Sequence, residues 1–291
     1  VSGSGTVSSV LVESSKVVTL GDLALTNGSG AATNYNLNGA TLTISKRPVN
    51  VTLTRVYDGT TNISGSDDPS IGNLIGNETL TLSGSGSIGS SNAANGKSVT
   101  LGSLALSSGT GSESNYTLTG GTHLAKINKR PVNLSGTRIY DGTTNASSSD
   151  LSSLGNLVSG ETLTLSGSGV LGSKDVETNK SVSIGSLALG NNSGNANNYT
   201  LSGGALQLNI TPKSIIASGS RAYDGTTSAQ GSTFSSFSGL ISGDSVQLSG
   251  TGSFATALVG SKGVTIGTLR SRNSNYYLSD ATLILTKRLF N

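Results

Sequence analysis

One seven-residue motif occurs three times in the chain at a constant spacing. It reads Arg-Val-Tyr-Asp-Gly-Thr-Thr at 55–61, and versions with Ile or Ala in second place follow at 138–144 and 221–227, which gives a period of 83 residues. A period of this length indicates repeated modules that fold alike. The motif residues are Arg55, Tyr57, Asp58, Gly59, Arg138, Tyr140, Asp141, Gly142, Arg221, Tyr223, Asp224 and Gly225.

The motif itself predicts a strand that ends in a tight turn. Its Arg and Tyr stand two residues apart, so both side chains point to the same face of an extended strand. The Asp side chain can accept hydrogen bonds from backbone amides ahead of it, and Gly adopts a positive φ at little cost. We therefore interpret each copy as a strand, an anchoring tyrosine and a turn.

Three further motifs recur in a fixed order and define the modules. In the first complete module they are Glu78-Thr-Leu-Thr-Leu, Lys97-Ser-Val-Thr-Leu-Gly and Asn115-Tyr-Thr-Leu. They predict repeat 1 at 46–128, repeat 2 at 129–211 and repeat 3 at 212–291, where 287–291 resemble the start of a following module. Residues 1–45 carry only the second half of a module and are called the partial repeat. We expect a piece of a longer array whose partial repeat leaves apolar faces and an open sheet edge, free to pair with another chain.

Composition narrows the class of fold. Of the 291 residues 41 are Gly, 33% are hydrophobic and 11% are charged. Short alternating runs of Val, Ile, Leu and Thr between polar turns are typical of β-strands. The sequence predicts an all-β tandem array of small antiparallel, sandwich-like modules of about 83 residues, and the alternative is a continuous β-solenoid.

Composition also bears on partners. The net charge of +3 is small and scattered, which argues against nucleic-acid binding. No apolar run approaches the roughly 18 residues of a membrane span. Without Cys the chain has no disulfide and no thiolate metal site. We expect no cofactor.

The four motifs together resemble the YDG-type tandem repeats of bacterial filamentous-haemagglutinin-like secreted adhesins. The resemblance covers the whole chain, although Lys-Arg-Pro replaces Thr-Pro-Lys at two junctions and only 211–213 keep the latter. It implies a secreted protein or one at the bacterial cell surface. It says little about the activity, because such repeats usually accompany other domains that carry it.

Two sets of repeated side chains have both a structural and a functional interpretation. The tyrosines of the Asn-Tyr-x-Leu motif are either core anchors or sugar-stacking rings, and we favour anchors because aromatic residues are sparse. The motif aspartates suit turns better than calcium, which prefers several carboxylates at one site. These tyrosines are Tyr35, Tyr116, Tyr199 and Tyr276.

Each complete module also repeats one lysine and one acid. They are expected to form a surface ion pair or, less simply, to take part in a Lys–Asn isopeptide cross-link that the acid catalyses. The single histidine, His123, lies in one module only and cannot serve a repeated activity. The lysine–acid candidates are Lys97 with Glu78, Lys180 with Glu161, and Lys262 with Asp244.

The sequence thus predicts a non-catalytic structural or adhesive region that acts as a stalk or as a matrix and aggregation element, for example in a biofilm. One alternative is a self-assembling extracellular fibre joined by strand exchange at the incomplete end. Another is a module that binds a glycan or a host surface. The expected partners are neighbouring repeats, other copies of the chain and surface polysaccharide.

Overall fold

A computed structural model describes residues 1–289 and shows a chain of β-strands. Strands make up 48% of it, and the part of the chain that it describes contains no α-helix. The predicted start of a further module at 287–291 includes positions 290 and 291, which lie outside the described residues. The chain divides into two compact units, unit 1 at Val1–Lys129 and unit 2 at Arg130–Asn291.

Unit 1 begins with the partial repeat, which forms a small antiparallel sheet of order β1-β2-β3. The 3-10 turn Ala32–Asn34 lies between its second and third strands. The strands are β1 (Thr6–Val7), β2 (Glu13–Thr19) and β3 (Thr41–Ile44).

Repeat 1 fills the rest of unit 1 with ten strands and the 3-10 turn Glu113–Asn115. Its strands are β4 (Arg47–Pro48), β5 (Asn50–Val56), β6 (Asn62–Ser64), β7 (Ser70–Gly72), β8 (Leu80–Ser83), β9 (Ser85–Ile88), β10 (Ala94–Thr100), β11 (Ala105–Ser108), β12 (Tyr116–Thr117) and β13 (His123–Asn128).

The first and last long strands of repeat 1 lie side by side in the middle of its main sheet, whose order is β6-β9-β10-β13-β5-β7. Strands β5 and β13 run parallel, from Val51 paired with His123 to Val56 paired with Asn128. The other neighbours in this sheet are antiparallel. The short strands β4 and β12 are also parallel.

Unit 2 contains repeats 2 and 3, with 3-10 turns at Ala196–Asn198 and Gly231–Thr233. The strands of repeat 2 are β14 (Arg130–Pro131), β15 (Asn133–Ser135), β16 (Thr137–Ile139), β17 (Asn145–Ser147), β18 (Ser153–Gly155), β19 (Leu163–Ser166), β20 (Ser168–Leu171), β21 (Glu177–Ser183), β22 (Ala188–Asn191), β23 (Tyr199–Thr200) and β24 (Gln207–Thr211). Those of repeat 3 are β25 (Lys213–Ala222), β26 (Ser228–Gln230), β27 (Phe234–Ser238), β28 (Leu248–Ser249), β29 (Thr251–Ser253), β30 (Gly260–Gly263), β31 (Arg270–Ser271) and β32 (Tyr276–Thr286).

Both modules of unit 2 repeat the parallel pairing of an early strand with the last one. In repeat 2, β16 lies beside β24 at one edge of a sheet of order β16-β24-β21-β20-β17. In repeat 3, β25 and β32 are the two middle strands of a sheet of order β27-β25-β32-β30. Their parallel ladder runs from Lys213 paired with Tyr276 to Ala222 paired with Thr286.

The all-β tandem architecture predicted from the sequence is confirmed, and the sheets are curled. The expectation of purely antiparallel pairing needs correction, because each complete module pairs an early strand in parallel with its last strand. A parallel pair needs a long crossover connection, and here the rest of the module supplies it. Within each unit the described ladders join strands of a single module, unlike the coils of a solenoid.

The core follows the alternation of side chains along these strands. In β5 the inward Val51 and Leu53 are buried, whereas Thr52 between them is exposed. A second cluster in repeat 1 joins Val49, Leu80 and Tyr116. The described part of the partial repeat buries no apolar side chain.

Candidate functional site

The Tyr-Asp-Gly turn has the same hydrogen bonds in every copy. In repeat 1, Asp58 Oδ1 accepts hydrogen bonds from the backbone amide of Thr60 at 2.9 Å and from its hydroxyl at 3.0 Å. Gly59 between them has a φ of 82°, which an L side chain rarely adopts. Asp141 and Asp224 make the equivalent bonds in repeats 2 and 3.

The side chain of the motif arginine binds both the aspartate and a backbone carbonyl of its own turn. The side chain of Arg138 is buried, pairs with Asp141 at 3.3 Å and donates to the carbonyl oxygen of Thr143 at 2.7 Å. Arg55 and Arg221 bridge their own aspartates and turn carbonyls in the same way. The motif aspartates are thus held by an arginine and a threonine of their own turn.

These partners also set the charge state of the turn. Burial by itself would raise the pKa of Asp58, but hydrogen bonds from Arg55 and Thr60 outweigh it and hold the pKa below its usual value. Throughout residues 1–289, no group of three or more His, Asp or Glu side chains could hold a metal ion.

The tyrosine of the Asn-Tyr-x-Leu motif binds the acid of the same module. Tyr199 donates its hydroxyl hydrogen to Glu161 at 2.6 Å and accepts from the amide of Val158 at 3.0 Å. In repeat 1, Tyr116 binds Glu78 in the same way, and this hydrogen bond raises the pKa of Tyr116. The repeated acid is therefore a partner of a buried tyrosine.

In unit 2 the two tyrosine motifs meet at one carboxylate, between repeats 2 and 3. Asp244 Oδ2 accepts hydrogen bonds from Tyr140 of repeat 2 and from Tyr276 of its own repeat, both at 2.7 Å. The ammonium of Lys174 lies 3.1 Å from Asp244 Oδ1. The two rings pack edge to face with centroids 5.4 Å apart. We call these four side chains the tyrosine joint.

The hydrogen bonds of the tyrosine joint shift the pKa values of its members. Hydrogen bonds from Tyr276 and Tyr140 lower the pKa of Asp244. Burial and the bond to Asp244 raise the pKa of Tyr276 to about 12. Contact with Tyr140 and Asp244 also raises the pKa of Lys174. Asp244 is therefore an anion held by two neutral phenols and one cation.

A second contact beside the joint comes from the asparagine of the Asn-Tyr motif. The side chain of Asn275 accepts from the backbone amide of Val176 at 2.8 Å and donates to Asp175 at 2.9 Å. In unit 1, Asn115 likewise accepts from the amide of Val12 in the partial repeat, at 3.1 Å. In both units this asparagine holds the module that precedes its own.

The predicted lysine–acid pairs are not the pairs that form. Lys180 binds Glu177 at 3.1 Å and the Ser173 hydroxyl at 2.7 Å, because β21 carries it away from Glu161. Lys262 lies near the hydroxyl of Thr256 rather than near Asp244, and in the described part of the chain no ion pair joins Lys97 to Glu78. The acids of these pairs bind tyrosines instead, and the isopeptide cross-link stays a prediction.

The remaining candidates divide by exposure. Tyr57 and Tyr140 are buried, whereas Tyr223 is 42% exposed. Tyr35 is 67% exposed, although its counterpart Tyr116 is 2% exposed. The ring nitrogen Nε2 of His123 lies 2.7 Å from the carbonyl oxygen of Leu118.

Sequence reasoning missed part of the joint. Asn275 had a signal, since it precedes the singled-out tyrosine in every copy of its motif. Lys174 and Asp175 had none, because they lie in a variable loop and neither recurs in the other modules.

Comparison with known families agrees with this repeated geometry. The YDG domain matches residues 40–123, 126–206 and 204–283. The chain belongs to the YDG domain family. The three matches begin at 40, 126 and 204, a few residues before the predicted module starts at 46, 129 and 212. Comparisons with curated proteins and with solved structures give no match.

Among the described residues no helix is long and apolar enough to pass through a bilayer.

Proposed function

We propose that this YDG array is a non-catalytic stalk or matrix element of a larger secreted or cell-surface bacterial protein. The observation that carries the proposal is the parallel pairing of an early strand with the last strand of each module. Tension along the chain enters a module near the start of the first strand and leaves at the end of the last one. In a parallel pair these points are at opposite ends of the ladder.

Such a ladder resists tension well. When the ends of two parallel strands are pulled apart lengthwise, all hydrogen bonds between them are loaded together. When the strands are instead separated from one end, the bonds break one after another. Repeat 3 has the longest ladder of the three modules, from Lys213 to Ala222 on β25, so this module should resist tension best.

The recurring polar side chains fit a structural role. The motif arginines and aspartates are used within their own turns, and the Asn-Tyr tyrosines bind the acids of their own modules. The recurring charged and phenolic side chains thus have structural partners within the array. These assignments support an array that transmits force.

Single-molecule stretching tests this proposal directly. Because the chain has no Cys, two engineered cysteines define where force is applied. In Ser214→Cys/Thr286→Cys the handles lie at opposite ends of the β25–β32 ladder, and in Ser214→Cys/Tyr277→Cys they lie at the same end. We expect a clearly higher rupture force for the first pair. Equal forces would contradict the proposed role of the ladder.

The adhesive alternative has its own measurement. The purified chain is applied to a glycan array and to bacterial cells at several salt concentrations. A stalk shows no saturable binding. Saturable binding that is lost on mutation of exposed loop residues would instead make the modules adhesive in their own right.

A self-assembling fibre is favoured by one observation, the exposed apolar side chains of the partial repeat, among them Val10, Val17 and Leu42. Light scattering after size exclusion separates the two architectures. A fibre subunit gives a mass that grows with concentration, and a stalk stays monomeric.

A further inference from the structure

A surface of repeat 3 carries two of the residues with which repeat 2 holds repeat 3, although Ala257 and Leu258 stand where repeat 2 has Lys174 and Asp175. In repeat 2 that surface consists of the motif Tyr140 and the loop before β21, whose Val176 donates its amide to Asn275. Tyr223 corresponds to Tyr140, one period later. Val259 corresponds to Val176, since each lies five residues after an equivalent buried residue, Phe254 or Leu171.

In repeat 3 these residues are uncovered. They line a surface cleft of about 780 Å³ together with Lys287, Arg288 and Leu289. Tyr223 and Val259 are 42% and 47% exposed. No described residue hydrogen-bonds the Tyr223 hydroxyl, whereas Tyr140 binds Asp244 at 2.7 Å.

The charged and polar side chains around the cleft indicate which chemical group could bind there. Asp224 is already paired with Arg221, which leaves Tyr223, Lys287 and Arg288 as hydrogen-bond donors facing the opening. At the tyrosine joint a tyrosine and a lysine meet a carboxylate, so the same chemistry here calls for an anion. The exposed Leu258 and Val259 add an apolar rim.

We propose that this cleft is a docking surface for a further YDG module. The module would present the carboxylate that corresponds to Asp244, flanked by its own Asn-Tyr pair. The tyrosine joint of unit 2 is the template, since the tyrosine and the valine with which repeat 2 contacts repeat 3 recur here. The inference holds whatever role the array has in the cell.

The test adds such a module to the chain. An extended chain consists of residues 1–291 followed by a second copy of 217–291, which keeps Lys287 and Arg288 in place, and nitration of each tyrosine is followed by mass spectrometry. In the 291-residue chain Tyr223 should react readily, as should the exposed Tyr277. In the extended chain we expect nitration of Tyr223 to fall by about tenfold or more, because a hydrogen bond to a charged group shifts the opening equilibrium by that order. Tyr277 of the original repeat 3 serves as the control that stays reactive.

A matched variant assigns the protection to the carboxylate. Replacing the added copy's counterpart of Asp244 by Ala should restore most of the reactivity of Tyr223. The added copy's counterpart of Tyr276 shows whether that module is folded. Tyr223→Phe should weaken protection of the added module against hydrogen exchange and leave the 291-residue chain unchanged.

Two outcomes would overturn the inference. One is unchanged nitration of Tyr223 in an extended chain whose added module is folded. The other is protection of Tyr223 in the 291-residue chain that rises with concentration, because the occupant would then be a second copy of the chain. Loss of rupture force in the stretching experiment would leave this inference untouched, so the two proposals fail separately.

Discussion

Tyr35 and Tyr116 occupy the same motif in two neighbouring regions of unit 1, yet their environments differ completely. Tyr116 is buried against Val49 and Leu80 and binds Glu78. Tyr35 is 67% exposed. The Asn-Tyr-x-Leu motif therefore does not create a buried tyrosine by itself. It needs the strands and the acid of the first half of the module, which the partial repeat does not contain.

The same difference appears in the sheets. Strand β13 of repeat 1 lies between β10 and β5, and its Ala125 is fully buried. Strand β3 of the partial repeat is paired with β2 alone, and Leu42, which takes the place of Ala125, is 48% exposed. The early strand of a module thus completes both its sheet and its core.

The largest effect should come from removing the ring of Tyr116. Tyr116→Ala leaves a cavity between Val49 and Leu80 and should destabilise repeat 1 by about 3–5 kcal/mol. Tyr35→Ala, the matched control, should change stability by no more than about 0.5 kcal/mol. Hydrogen exchange of peptides from repeat 1 measures the first effect, and exchange of peptides from the partial repeat measures the second. A similar loss from the two variants would contradict the comparison.

A smaller effect is expected from removing only the hydroxyl of Tyr116. Tyr116→Phe keeps the ring but leaves Glu78 and the amide of Ile75 without their partner, at a cost of about 1–3 kcal/mol. Tyr35→Phe should be neutral. Denaturant unfolding, followed by hydrogen exchange in repeat 1 for Tyr116→Phe and in the partial repeat for Tyr35→Phe, measures the two effects. A neutral Tyr116→Phe would show that only the ring contributes to stability.

The contact between the two regions should be weaker still. Asn115→Ala removes the acceptor of the Val12 amide and should cost about 0.5–1.5 kcal/mol. We expect faster amide exchange around Val12 and little change in β5 and β13. If exchange rises equally throughout repeat 1, Asn115 supports its own module rather than the partial repeat.

The smallest effect is expected at Leu42. Leu42→Ser should alter the stability of the partial repeat by about 0.5 kcal/mol at most, because the side chain is half exposed. Ala125→Ser places a hydroxyl at the corresponding buried position and should cost more. Thermal unfolding of both variants checks that Ala125→Ser is the more destabilising of the two. A larger loss from Leu42→Ser would mean that another surface buries Leu42 in solution.

Much of the local structure could be predicted from the sequence. The Asp-Gly-Thr turn follows from residue chemistry, since an aspartate side chain readily accepts from the backbone amide two residues on and glycine adopts a positive φ at little cost. The modular division follows from the period. Both signals are carried by residues close together in the chain.

What could not be predicted depends on distant residues. Val51 and His123 pair in parallel although most of their module lies between them in the sequence, and alternation along one strand does not reveal its neighbour. The hydrogen bond between Tyr199 and Glu161 could not be predicted either, because it also joins distant residues. A repeated acid and a repeated lysine predict an ion pair, but in the fold a tyrosine rather than the lysine lies beside the acid.

The parallel ladder also determines when a module can complete its folding. Its two strands are the early and the late segments of each module, so the ladder cannot form until nearly the whole module is available. Local contacts form quickly and distant ones slowly, because the chain between them must first be ordered. A YDG module emerging from a ribosome would therefore stay open until its final strand is synthesised. The last strand to appear then completes the module in one step.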